Sequence, residues 1–91
     1  MPKFVVERVI PNAGNLNPEE LQGAAQKSCE ALREIGPEIN WVHSYVTDKK
    51  LYCVYIAPSE VEIEQHAEQA GLPVNSIAEV KSIIDPCTSE G

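Results

Sequence analysis

Residues 41–55, WVHSYVTDKKLYCVY, decide the fold, and they hold the only Trp, all three Tyr, one of two His and one of three Cys. From Trp41 to Val46 the chain alternates Trp41, His43 and Tyr45 against Val42, Ser44 and Val46, the period of a β-strand. Thr47-Asp48-Lys49-Lys50 is polar and turns the chain into a second apolar run, Leu51 to Ala57, so the stretch reads as a hairpin. Pairing Val46 with Leu51 sets Tyr45 opposite Tyr52, His43 opposite Val54 and Trp41 opposite Ile56, because cross-strand partners share a face. Trp41, His43 and Tyr45 then point one way, and Val42, Ser44, Val46, Cys53 and Tyr55 point towards whatever covers the other side. A slip of one residue would instead bring Cys53 and Tyr55 beside His43, and both registers stay open at this point.

Upstream of the hairpin, KFVVERVI at 3–10 is a β-branched strand with Val5, Glu7 and Val9 on one side and Phe4, Val6, Arg8 and Ile10 on the other. Asn17-Pro18-Glu19-Glu20 supplies an N-cap, a proline at the first helical position and acids in the first turn. Leu21, Ala25, Ser28, Leu32 and Ile35 then recur at helical spacing, with Cys29 flanking as a packing residue and Gly36-Pro37 as the stop. Downstream, Ser59-Glu60-Val61-Glu62 matches a capping box and opens a second helix with Ile63, Ala67 and Ala70 inward and Gly71 at its end. Ile77 to Ile84 is a last strand, and CTSEG a loose tail.

The order β-α-β-β-α-β predicts an α+β, ferredoxin-like sandwich in which two helices cover one face of a four-stranded antiparallel sheet. The expectation is a single domain over residues 1–91, with an ordered core from about 3 to 86 and a tail at 87–91. The strands are apolar on both sides, so a bare sheet face would be a large exposed patch. A homodimer that pairs two such faces, a dimeric α+β barrel, answers that problem.

The totals agree with one small core. Ninety-one residues leave little room for more than one domain, and 7 basic against 14 acidic residues give a net charge of −7 that repels phosphate backbones. No nucleic-acid partner is expected. The three cysteines form no C-x-x-C pair or even framework, which suits a reducing cytoplasm. No run of 18 to 20 apolar residues or signal segment is evident, so a membrane partner is not expected either.

Chemistry centres on the histidines. His43 sits among apolar and aromatic neighbours, where it is either a hydrogen-bonded core histidine or a metal ligand or proton-transfer group. Glu7, between Val5 and Val9, is out of place unless paired; a metal with His43 is one partner and Lys81 the structural alternative. His66 lies on the rim of the second helix stripe with Glu62 one turn before it. That pair is an ordinary helix-surface interaction or a two-donor chelate. Cys53 with His43 could imitate a thiolate pair, although a strand cysteine is usually a small buried hydrophobe. There is no G-x-S-x-G, H-E-x-x-H, P-loop or organic-cofactor motif.

WVHSYV, CVY, the AP-S helix start, His66 and GLPVNSIAEV together resemble a bacterial family of short proteins of unassigned function, one branch of which is described as nickel-binding. The likeness runs from Phe4 to Pro86. It implies a dimeric ferredoxin-like fold and, for some members, divalent metal held by His and carboxylate side chains, with nickel as the metal. His43 and His66 match the recurring histidines, and Tyr45, Cys53 and Tyr55 match the strand pattern. Ile56 departs from it, since an acidic residue commonly follows CVY, and Glu7 is the candidate to compensate.

Three readings follow. The first is a cytoplasmic homodimer binding a divalent transition metal through His43, His66, Glu7 and Glu62. The second is an enzyme with a small organic substrate between sheet and helices, His43 as acid or base, and Tyr45 or Tyr52 as donor. The third is a non-catalytic dimerisation module built on the aromatic face, Trp41 included.

Overall fold

The computed structural model describes residues 1–36 and 38–91; Pro37, expected with Gly36 to stop the first helix, lies outside the described residues. Its elements are β1 (Lys3–Val9), α1 (Pro18–Ile35), β2 (Asn40–Val46), β3 (Lys50–Ile56), α2 (Glu60–Ala70) and β4 (Ser76–Glu79). The strands form one antiparallel sheet in the order β2-β3-β1-β4, the ferredoxin-like topology. Phe4, Val6, Cys53 and Tyr55 on one sheet face and Ile63 of α2 join the buried core, with Leu32 and Ile35 of α1 packed against it. Both helices thus lie on that face, as the strand alternation requires.

Local chemistry explains the boundaries. Asn17 Oδ1 accepts from the Glu20 N–H at 2.8 Å while Glu20 Oε1 accepts from the Asn17 N–H at 3.0 Å, a reciprocal capping box at the start of α1. At α2 the expected box forms only in part. Ser59 Oγ accepts from the Val61 N–H at 3.3 Å, and the Glu62 carboxylate accepts from the Ser59 hydroxyl. Gly71 closes α2 in the left-handed region at φ 69°, where a side chain would be strained.

The hairpin keeps the Val46–Leu51 register as far as His43 opposite Val54. There it departs from expectation, because Val42 has no partner and Trp41 pairs with Tyr55. This bulge turns Trp41 to the helix-covered face, where it packs against the core and its Nε1–H donates to Ser44 Oγ at 3.0 Å. The inserted residue puts two residues against one, which lets the indole bury itself while Val42 remains exposed. Trp41 and His43 therefore face opposite ways.

The other turns are fastened by short contacts. The Gly14 N–H donates to the Asp48 carbonyl at 3.0 Å and the Ile10 N–H to that of Lys49 at 2.9 Å, docking the β1–α1 loop on the hairpin tip. β4 ends at Glu79, earlier than expected, and Ile83 and Ile84 lie exposed beyond it. Pro86–Glu90 forms a 3-10 turn capped by Asp85. Among the described residues, no helix is long and apolar enough to cross a membrane.

Candidate functional site

The sheet separates two sets of candidate residues. On the face without helices, cross-strand register builds one row from Tyr45, Tyr52, Glu7 and Ser76, and a second from His43, Val54, Val5 and Ala78. His43 is exposed and meets Tyr45 edge-on, with ring centroids 4.9 Å apart. Tyr45 is itself 60 % exposed. Glu7 is on this face too, but its ion-pair partner is Lys50 at 3.5 Å. Lys81, the other cation considered for it, pairs with Glu79. His43 and Glu7 stand in different rows and on strands separated by β3, so one chain does not bring them into contact.

His66 lies on the other side of the sheet, fully buried rather than on a rim. Position 66 is three residues after Ile63, within the same inward stripe as Ala67 and Ala70. Its Nε2 is 3.2 Å from Ser28 Oγ and 3.3 Å from the Ser28 carbonyl, linking α2 to α1. A carbonyl only accepts, so this contact selects the Nε2–H tautomer. Nδ1 is then a bare lone pair without a hydrogen-bond partner. Burial pushes the His66 pKa down, and Arg8 adds to that against the opposing Ser28 carbonyl. Glu62, one turn earlier, is held below the usual carboxylate range chiefly by the Ser59 hydroxyl, so it and His66 are not joined in a chelate.

A cavity of about 270 Å³ opens between α1 and the hairpin, on the helix-covered face. Leu21, Ala25, Trp41, Val46, Leu51 and Leu72 give it an apolar wall, and Ser28, Ser44, Cys53 and Tyr55 are its polar members. The Tyr55 hydroxyl accepts from Arg8 Nη2 at 3.2 Å, and Arg8 Nη1 donates to the Pro73 carbonyl at 2.8 Å. Burial raises the Tyr55 pKa despite the neighbouring guanidinium, so the phenol stays protonated. His66 meets the same ring edge-on at 5.4 Å between centroids. His43 faces away from this cavity, which rules it out as acid or base for a substrate held there. Arg8 and Ser28 were not singled out from sequence as site residues, although strand alternation had already put Arg8 beside Phe4 and Val6.

Among the described residues, no three His, Cys, Asp or Glu side chains group closely enough to hold a metal ion. A family model described as "Nickel responsive protein SCO4226-like" matches residues 4–80. The crystal structure of SCO4226 from Streptomyces coelicolor A3(2) superposes with a TM-score of 0.75 at 17 % identity, covering 90 % of this chain and 99 % of that one. At that identity the likeness establishes the fold. No match was found among curated proteins.

Proposed function

The chain belongs to the nickel responsive SCO4226-like family, and from that premise we propose that it binds a divalent transition metal, nickel first among them, as a homodimer paired through the open sheet face. The observation that carries this reading is His43, an exposed imidazole on the face the helices leave uncovered. Imidazole suits nickel, copper and zinc alike, and copper binds such donors most tightly, so the preference for nickel rests on the family and not on the ligand.

His43 is the principal donor in this proposal, and Glu7 is the carboxylate on the same face. Because the two are in different rows within one chain, the site requires donors from a second copy or from water to complete it. Face-to-face pairing of two sheets supplies a second His43 and a second Glu7, and it covers Val5, Val54 and Ile56 together with the exposed Tyr45. His66 and Glu62 stand outside this site, occupied by Ser28 and Ser59.

Calorimetric titration of demetallated protein with nickel, copper and zinc tests the proposal, with His43→Ala and His66→Ala measured beside it. The expected result is specific binding that weakens at least about tenfold in His43→Ala, the loss of an inner donor. Equal affinity in that variant removes His43 from the site, and binding no stronger than a generic acidic surface removes the metal. Sedimentation of Tyr45→Asp, expected to run as monomer, tests the dimer separately.

A further inference from the structure

Arg8 poses a problem that the metal reading leaves untouched. Its guanidinium is fully buried, its Nε–H has no partner, and among the described residues no carboxylate pairs with it. An arginine cannot escape burial by giving up its proton. A buried cation without a counter-ion is costly, and an anion placed near it gains correspondingly.

The surroundings of Arg8 show where an anion fits. Leu51, which is opposite Arg8 across the β1–β3 ladder, lines the cavity, as does Leu72, which precedes the Pro73 carbonyl bound to Nη1. Tyr55, whose hydroxyl accepts from Nη2, is a third lining residue. The guanidinium therefore lies one residue behind the cavity lining, joined to it by the hydrogen bond to Tyr55. That hydroxyl accepts from Arg8 and lies beside Cys53, whose sulfur is only a weak acceptor for its proton. It is a polarised donor on a buried residue, beside a chamber whose wall is mainly apolar.

We propose that this cavity binds a small organic acid, with an aliphatic or aromatic body against the apolar wall and its carboxylate on the Tyr55 hydroxyl, backed by Arg8. At roughly 30 Å³ per water the chamber holds about nine waters, the bulk of hexanoate or benzoate rather than of a nucleotide. The net charge of −7 repels such an anion from outside. Physiological salt screens that field within about 8 Å, whereas the buried guanidinium is screened far less.

Trp41, the only tryptophan, lines the cavity, so its emission reports occupancy directly. The experiment titrates the full chain, with chelator present, against hexanoate and benzoate and against their uncharged amides. The acids should give a saturable change with affinity at least about tenfold above the amides, because a hydrogen bond to a charged group exceeds a neutral one by that order. Tyr55→Phe should abolish the acid preference, and Ala25→Leu should weaken all four probes by filling the chamber. Should Tyr55→Phe not fold, the Arg8 Nε–H resonance of the unaltered protein gives the same answer, shifting with acid and not with amide. No saturable response, equal affinity for acid and amide, a preference that survives Tyr55→Phe, or an unmoved Arg8 signal overturns the proposal. Chelator keeps the outcome independent of the metal site.

Discussion

Lowering the pH from about 7.5 to about 6 should destabilise the protein through His66. The neutral Nε2–H form is matched to Ser28, and protonation would place a second N–H on Nδ1, where no acceptor stands, and a charge in a buried site near Arg8. The folded pKa is therefore depressed, while the unfolded chain takes up a proton near the ordinary value of about 6.5. With more protons bound in the unfolded state, stability rises with pH: it is fully present above the unfolded pKa and lost as pH falls towards the folded one. One proton limits the slope to about 1.4 kcal/mol per pH unit. Integrated over this window, with no uptake by the folded state, the loss is at most about 0.8 kcal/mol. In a domain of this size that is about 3–6 °C in melting temperature. Urea unfolding at several pH values measures it, and ordinary carboxylates titrate below the window. His66→Gln should flatten the dependence. A flat profile in the unaltered protein, or an unchanged slope in His66→Gln, would refute the burial argument.

Two further substitutions probe the frame that carries both sites. A Cβ at Gly14 would lie 2.7 Å from Asp48 Cα, so Gly14→Ala should push the β1–α1 loop off the hairpin tip and cost about 1–3 kcal/mol, read by thermal melting. Asn17→Ala removes the acceptor for the Glu20 N–H and should cost about 1 kcal/mol in urea unfolding, with Asn17→Asp close to neutral.

Much of the architecture is legible in local chemistry. The period-two runs, Asn17-Pro18 and Gly71 give element order, because each acts through its nearest neighbours, whereas the hairpin register stays open in the sequence and is set by the fold. The bulge at Val42 is invisible by the same logic. WVHSYV alternates without a glycine or proline to mark an insertion, and only packing of the indole under α1 selects it. His66 reads as a rim residue because it is polar, yet its spacing from Ile63 already places it on the inward stripe. Arg8 likewise follows the alternation of β1, but its lack of a counter-ion depends on which carboxylates fold near it. The shortened β4 has no local signal either, since VKSII is as strand-like as what precedes it.

The unpaired Val42 also bears on how this strand can change by insertion and deletion. Loss of that one codon would leave Trp41 directly before His43 in a regular ladder, with the indole still opposite Tyr55 and His43 still on the other face. It is pairing Val42 as an ordinary strand residue that would send the indole onto the face that carries His43. A relative that lacks this residue would therefore keep the same side chains on each side of the sheet and lose only the local bend of the bulge, whereas one that keeps it without the bulge would carry its aromatic surface on the other side.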